Sequence, residues 1–218
     1  MGLRHTGRVA ALMIVGLAVV GCIGGCAAPQ YTYVADNADN AYFKVPPAWH
    51  EVNENSLHSA EGQQSQEGTY LWSAAYDDTV KPSVSQVFSA TPAPVAYASV
   101  LSLNSSERND ISFNSMRDLL LPVTAQARKT AAASHEELNG FASLSDQVIT
   151  DSNNNRGIRE IFDYDLGTTL ETFDLTVLVN SATTKLYFLL VHCTATCFAT
   201  NYNQIAAVVG SFTVGGGS

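Results

Sequence analysis

Leu170-Glu171-Thr172-Phe173-Asp174-Leu175-Thr176-Val177-Leu178-Val179 decides the fold class. Phe173, Leu175, Val177 and Val179 recur with a period of two, and Thr172, Asp174 and Thr176 alternate with them. That is the pattern of a strand with one buried and one wet face. Asn180 to Thr184 turns the chain, and Leu186 to His192 returns as an almost wholly apolar run. On the other side, Gly157–Leu166 and Asp146–Asp151 flank Ser152-Asn153-Asn154-Asn155-Arg156, a turn-forming run between two further strands. Short connections place sequential strands side by side, so this region reads as an antiparallel meander. A helix closes it over about Asn201–Ser211, with Ile205, Val208, Val209 and Phe212 on one face and Thr200 as its cap.

Upstream the pattern is more broken. Thr69–Tyr76 reads as a strand with Tyr70, Trp72 and Ala74 on one side, and Val95–Leu103 as another. Pro82, Pro92 and Pro94 make the segment between them irregular. Asn104–Asp110 reads as a turn. Phe113, Met116, Leu119 and Leu120 form a helical stripe that Ser112 caps and Pro122 ends near Leu121. Ala125–Leu138 is an alanine-rich second helix or surface segment, and Glu51–Gly68 a polar loop with room for a short helix. Ala41–Val45 is a strand stopped by Pro46-Pro47, with Trp49 folding back beside it.

The 218 residues suit one domain plus a tether. With 46% hydrophobic and 14% charged residues, the chain can bury a core without a disulfide framework. The formal net charge is −9. Such an acidic balance excludes a nucleic-acid partner, which needs basic patches to neutralise phosphates. It also excludes electrostatic attachment to anionic lipid.

The N-terminus names an address. Arg4, His5 and Arg8 precede an uncharged apolar run, Val9–Val20, which ends at Val19-Val20-Gly21-Cys22. This is the layout of a secretory signal with small residues at its cleavage point. A cysteine directly after them is what a bacterial lipobox looks like. Residues 1–21 are then a signal peptide, Cys22 carries lipid (palmitate), and residues 22–40 are a small, polar, flexible tether. Cys26, in Ile23-Gly24-Gly25-Cys26, is the alternative lipidation site. A plain cleaved signal and a retained transmembrane anchor over Ala10–Ala28 are the competing readings. The domain spans 41–214, and 215–218 is a disordered tail. The lipoprotein reading sets the protein on the outer, extracytoplasmic face of the cell membrane.

Phe43-Lys44-Val45-Pro46 followed by Trp49 resembles the opening strand and turn of PsbP-like domains. A closing strand, then a helix ending in Val209-Gly210-Ser211-Phe212-Thr213-Val214, is similar to the end of the same fold. The order of elements is similar to that of LpqN-type lipoproteins of actinobacteria. This resemblance covers roughly residues 40 to 214. It implies a single α+β domain: an antiparallel sheet of about six strands with helices on both faces, a PsbP-like α/β/α sandwich. It also implies a non-catalytic accessory or binding protein, with no family active site to carry over.

Cys193 and Cys197 stand at the end of the last apolar strand. In an exported protein, so short a spacing defaults to a disulfide, worth roughly 1–2 kcal/mol for so small a loop. Free thiols, a redox pair, or a metal site with His192 are the alternatives, although adjacent strand residues face opposite ways. Asp151–Gly157 is like the start of a calcium loop, but its glycine comes one place late and Phe162 stands where a bidentate Glu belongs. A hairpin turn is the simpler reading. His50, His58 and His135 read as surface residues. Asp163, Asp165, Glu171 and Asp174 read as the wet face of amphipathic strands, and otherwise as acid–base pairs of a tethered hydrolase. Trp49, Trp72, Tyr42 and Tyr70 read as core, or as the lining of a ligand groove. There is no G-x-S-x-G elbow, no H-E-x-x-H and no phosphate-binding glycine loop. The expectation is a binding or accessory module of the cell envelope with no catalytic residue, metal or cofactor. Its partner would be a protein or a small molecule. The alternatives are the hydrolase and a structural part of an envelope complex.

Overall fold

The structure, a computed structural model, describes residues 1–2, 30–62, 69–134 and 139–215. Cys22, Cys26, His135, residues 216–218 and nearly all of the expected signal lie outside them. The strands are β1 (Thr32–Asp36), β2 (Ala41–Val45), β3 (His50–Glu51), β4 (Thr69–Asp77), β5 (Val95–Ser102), β6 (Ala142–Thr150), β7 (Arg156–Leu166), β8 (Thr169–Val179), β9 (Lys185–Thr194) and β10 (Thr213–Val214). The helices are α1 (Glu54–Glu61), α2 (Val84–Phe88), α3 (Ser105–Asp110), α4 (Phe113–Arg117), α5 (Ala125–Ala133) and α6 (Ala195–Val209).

The main sheet is antiparallel with strand order β3-β4-β5-β9-β8-β7-β6. The meander β6-β7-β8-β9 forms as its alternation demands, with Leu175 opposite Leu190 and Val177 opposite Phe188. Asn180 builds the β8–β9 turn: its Oδ1 accepts from the Thr184 and Lys185 amides, and Thr183 takes a φ of +53°. β5 then pairs with β9, closing a long-range contact that joins the two halves of the chain. The sheet is covered on both faces. Leu57 of α1, Val87 of α2 and Met116 of α4 pack on one, beside Tyr97, Phe162, Leu175 and Phe188. Phe198, Ile205, Val208 and Val209 of α6 pack on the other, together with Phe43 and Val45 of β2. A small second sheet, β1-β2-β10, sits beside α6.

The sheet has seven strands, not about six. The seventh is β3, whose two residues pair with Tyr76 and Asp77 and are too few to show a period. Part of the expected tether is ordered: Thr32–Asp36 is β1, paired along its whole length with β2. Its Val34 and Asp36 are buried, and Asn40 makes the connecting turn at φ +57°. Tyr70 and Trp72 do not share a face. A bulge between them shifts the register, sending Tyr70 to the α1–α2 side and Trp72 to the α6 side. α4 stops at Arg117 because the Asp118 carboxylate turns back the chain, accepting from the Val123 and Thr124 amides and the Thr124 hydroxyl. Phe113 is thereby left exposed while Met116 is buried. Asn104–Asp110 holds helix α3 in place of the expected turn, fixed by a capping box between Asn104 and Glu107. α6 begins six residues early, at Ala195. Its cap is Thr194, whose hydroxyl accepts from the Cys197 amide at 3.3 Å.

One close approach fixes the pairing of β7 with β8. A Cβ on Gly157 would lie 1.8 Å from the Val177 carbonyl oxygen of the paired strand. Gly157→Ala is therefore expected to force β7 from β8 and to destabilise the domain by more than about 3 kcal/mol. Urea unfolding measures this; a loss below about 1 kcal/mol means the strands are less closely set.

Candidate functional site

β8 has no wet face. α6 and its neighbours cover the side that carries Thr172, Asp174 and Thr176, and all three are buried. Glu171, on the other side, is fully buried. Glu171 and Asp174, expected at the surface, are therefore interior carboxylates, and such groups persist only with partners. Asp174 takes Arg159 in a two-pronged ion pair, Nε to Oδ1 at 3.0 Å and Nη2 to Oδ2 at 2.8 Å. The pair raises the Arg159 guanidinium above its ordinary value, outweighing its partial burial. Asp163 and Asp165 remain half-buried, and the Thr172 hydroxyl donates to Asp163 at 2.6 Å.

Glu171 pairs with His192 of β9, Nδ1 to Oε2 at 3.2 Å. The other ring nitrogen, Nε2, lies 3.2 Å from the Val87 carbonyl in α2. Glu171 Oε1 accepts from the Thr91 amide at 2.8 Å, and the Phe173 ring stacks on the imidazole with centroids 5.3 Å apart. One buried acid–imidazole pair thus ties the proline-bounded segment 84–91 to the central strands.

Beside this pair lies a cavity of about 180 Å³. Val87 and Phe88 of α2, Leu120 and Leu121 of the link after α4, and Phe162 and Phe173 of the sheet form its walls. His192 and Tyr97 bring the polar atoms. The Tyr97 hydroxyl donates to Glu61 at 2.8 Å, and Ser73 donates to the same carboxylate at 3.0 Å. Burial pushes the Tyr97 phenol far above its ordinary range. Both His192 nitrogens are engaged within the protein, and among the described residues no serine or cysteine is bonded to the ring.

The expected site residues distribute as follows. A disulfide joins Cys193 to Cys197, with Cα atoms 5.9 Å apart, fastening the end of β9 to the first turn of α6. Cys193 faces the α6 core while His192 faces α2, so the two do not converge on one ion. Asp151 organises a hairpin turn, its Oδ1 accepting from the Asn153 and Asn155 amides. His50 and His58 are exposed, and Trp49 is buried. The Glu171–His192 pair went unread in the sequence because its members stand in two strands, 21 residues apart. The available signal was a lone charged residue beside an apolar face and a histidine ending an apolar run.

No family model matches the sequence, and no curated protein matches it either. Among solved structures, the cyanobacterial PsbP (CyanoP) of Synechocystis sp. PCC 6803 aligns over 90% of this chain and 99% of its own, with a TM-score of 0.52 at 13% identity. The fold is PsbP-like. The PsbP-like domain also has weaker likeness to LpqN of Mycobacterium tuberculosis, described as involved in cell envelope biogenesis. There the TM-score is 0.45 at 14% identity, over 85% of this chain and 90% of that one. Saccharomyces cerevisiae Mog1p, a Ran-binding protein, gives 0.43 at 7% identity, over 86% and 96%.

Another buried carboxylate, Glu160, is less well served. Its Oε2 has no hydrogen-bond partner and lies 3.9 Å from Arg117, which is itself bound to Asp146 at 2.9 Å. Burial, reinforced by the Asp146 charge and opposed by Arg117, pushes Glu160 up to about 7. The folded state thus holds this proton more tightly than the unfolded chain. The resulting stability is full below about pH 4.5, the ordinary value, and is lost as pH rises through 7. Glu160→Gln is expected to remove on the order of 2 kcal/mol of stability difference between pH 5 and pH 8, read by urea unfolding at both values. Equal pH dependence in both proteins rejects the assignment.

Proposed function

We propose that the chain is an exported lipoprotein whose PsbP-like domain is a non-catalytic binding module, held at the outer face of the cell membrane by lipid on Cys22. The binding half rests on one observation. The cavity under α2 has apolar walls, and the polar groups in its lining are satisfied within the protein. Ligand pockets are mostly apolar with a few placed polar groups. A catalytic pocket needs a nucleophile or a base free to act. A hydrophobic cavity of roughly 150 Å³ admits a benzene-sized guest, so about 180 Å³ accommodates a ring-sized apolar group.

The anchoring half rests on Val19-Val20-Gly21-Cys22. Among the described residues no helix is long and apolar enough to cross a membrane. A net charge of −9 gives no electrostatic hold on anionic lipid, and a lipid on Cys22 would supply one. In a bacterial host the mature protein is expected to begin at Cys22, acylated, and to partition into detergent. Cys22→Ser is expected to leave full-length precursor, and Cys26→Ser to change nothing. Mass spectrometry of the N-terminus decides. An intact chain with unmodified Cys22 rejects the anchor, and acylation at Cys26 moves it.

A further inference from the structure

The His192 ring of the Glu171–His192 pair sits between two acceptor oxygens. Nδ1 faces a carboxylate oxygen and Nε2 a peptide carbonyl, both of them acceptors. The arrangement that suits both acceptors puts one proton between Nδ1 and Oε2 and another on Nε2. Whichever atom holds the shared proton, the pair carries no net charge. Its one donor toward the cavity side is the Nε2 proton, given to Val87.

That bond is replaceable. Val87 lies in the last turn of α2, where carbonyls have no intrahelical donor. The amide four residues on, Thr91, is committed to Glu171. The Ser83 hydroxyl caps no amide of α2 and bonds to the Gln86 side chain instead, and Pro82, Pro92 and Pro94 keep the flanking chain out of any regular ladder. Lifting α2 frees the Val87 carbonyl to water and leaves the Nε2 proton pointing at the cavity, beside the Phe173 ring.

We propose, resting on the cavity as the binding site, that it takes a compact, uncharged apolar molecule bearing one acceptor oxygen, such as a ketone, ester or ether. Its oxygen replaces the Val87 carbonyl on His192 Nε2. A purely hydrocarbon guest leaves this donor on Val87 and gains nothing from it. A carboxylate brings its charge close to Glu171, without a net positive charge to offset it. His192 is thus the selecting residue, and α2 the segment that moves.

The test titrates the purified full chain with cyclohexanone, methylcyclohexane and cyclohexanecarboxylate. It repeats this with His192→Phe/Glu171→Leu, in which both partners go and no lone charge stays buried. The ketone-to-hydrocarbon affinity ratio is expected to fall at least about tenfold from wild type to the double variant. A second measurement needs no variant: the His192 Nε2 proton resonance shifts with ketone and not with hydrocarbon. An unchanged ratio, or an unmoved resonance in the ketone complex, overturns the selection by His192 and leaves the cavity as a plain apolar site. Carboxylate binding tighter than the ketone overturns the uncharged-ligand assignment. Binding of none of the three overturns both this inference and the cavity reading.

Discussion

A strand covered on both faces has no solvent side, and β8 and β9 are covered on both. Every charge they bury must be matched inside the protein, since an unpaired buried charge costs several kcal/mol. The matches hold distant parts together. Asp174 fixes Arg159 across one strand pair, and Glu171 with His192 reaches out of the sheet to hold α2. The side of β8 that looks wet in the sequence is wet only in composition. α6 folds over it, and the threonines and aspartate beneath become interior groups.

This constraint also separates what was legible in the sequence from what was not. The meander could be read because a period of two over ten residues survives whatever covers it. The helix face Ile205–Val208–Val209 could be read for the same reason. Phe212 was misread as part of that helix; it lies beyond Gly210 yet still packs on the core. β1 was invisible because five residues in a small, polar context carry too little pattern. Tyr70 was placed on the wrong face because a bulge inverts parity, and one extra residue leaves no mark in composition. The early stop of α4 depends on Asp118 bonding to amides five and six residues on, which helical periodicity does not encode.

The site was less legible than the fold. Cys193 and Cys197 could be paired from spacing because both lie in one local turn. Glu171 and His192 could not, since nothing local distinguishes a carboxylate at a wet edge from one that meets an imidazole across a strand pair. The cavity is a tertiary object altogether. Its wall draws on α2, on the link after α4 and on strands from both halves of the chain, and they meet only once β5 has found β9.

The pairing of β1 with β2 has a mechanical consequence. Thr32 lies opposite Val45, so the point where chain enters β1 is next to the point where β2 passes into the body of the domain. A pull on the residues before Thr32 therefore loads the ladder at one end, and its hydrogen bonds part in succession, not all at once. Such a hairpin opens from its free end. It pays out five residues of slack, and the seven-stranded sheet, which shares no hydrogen-bonded pairing with β1, is shielded from the load.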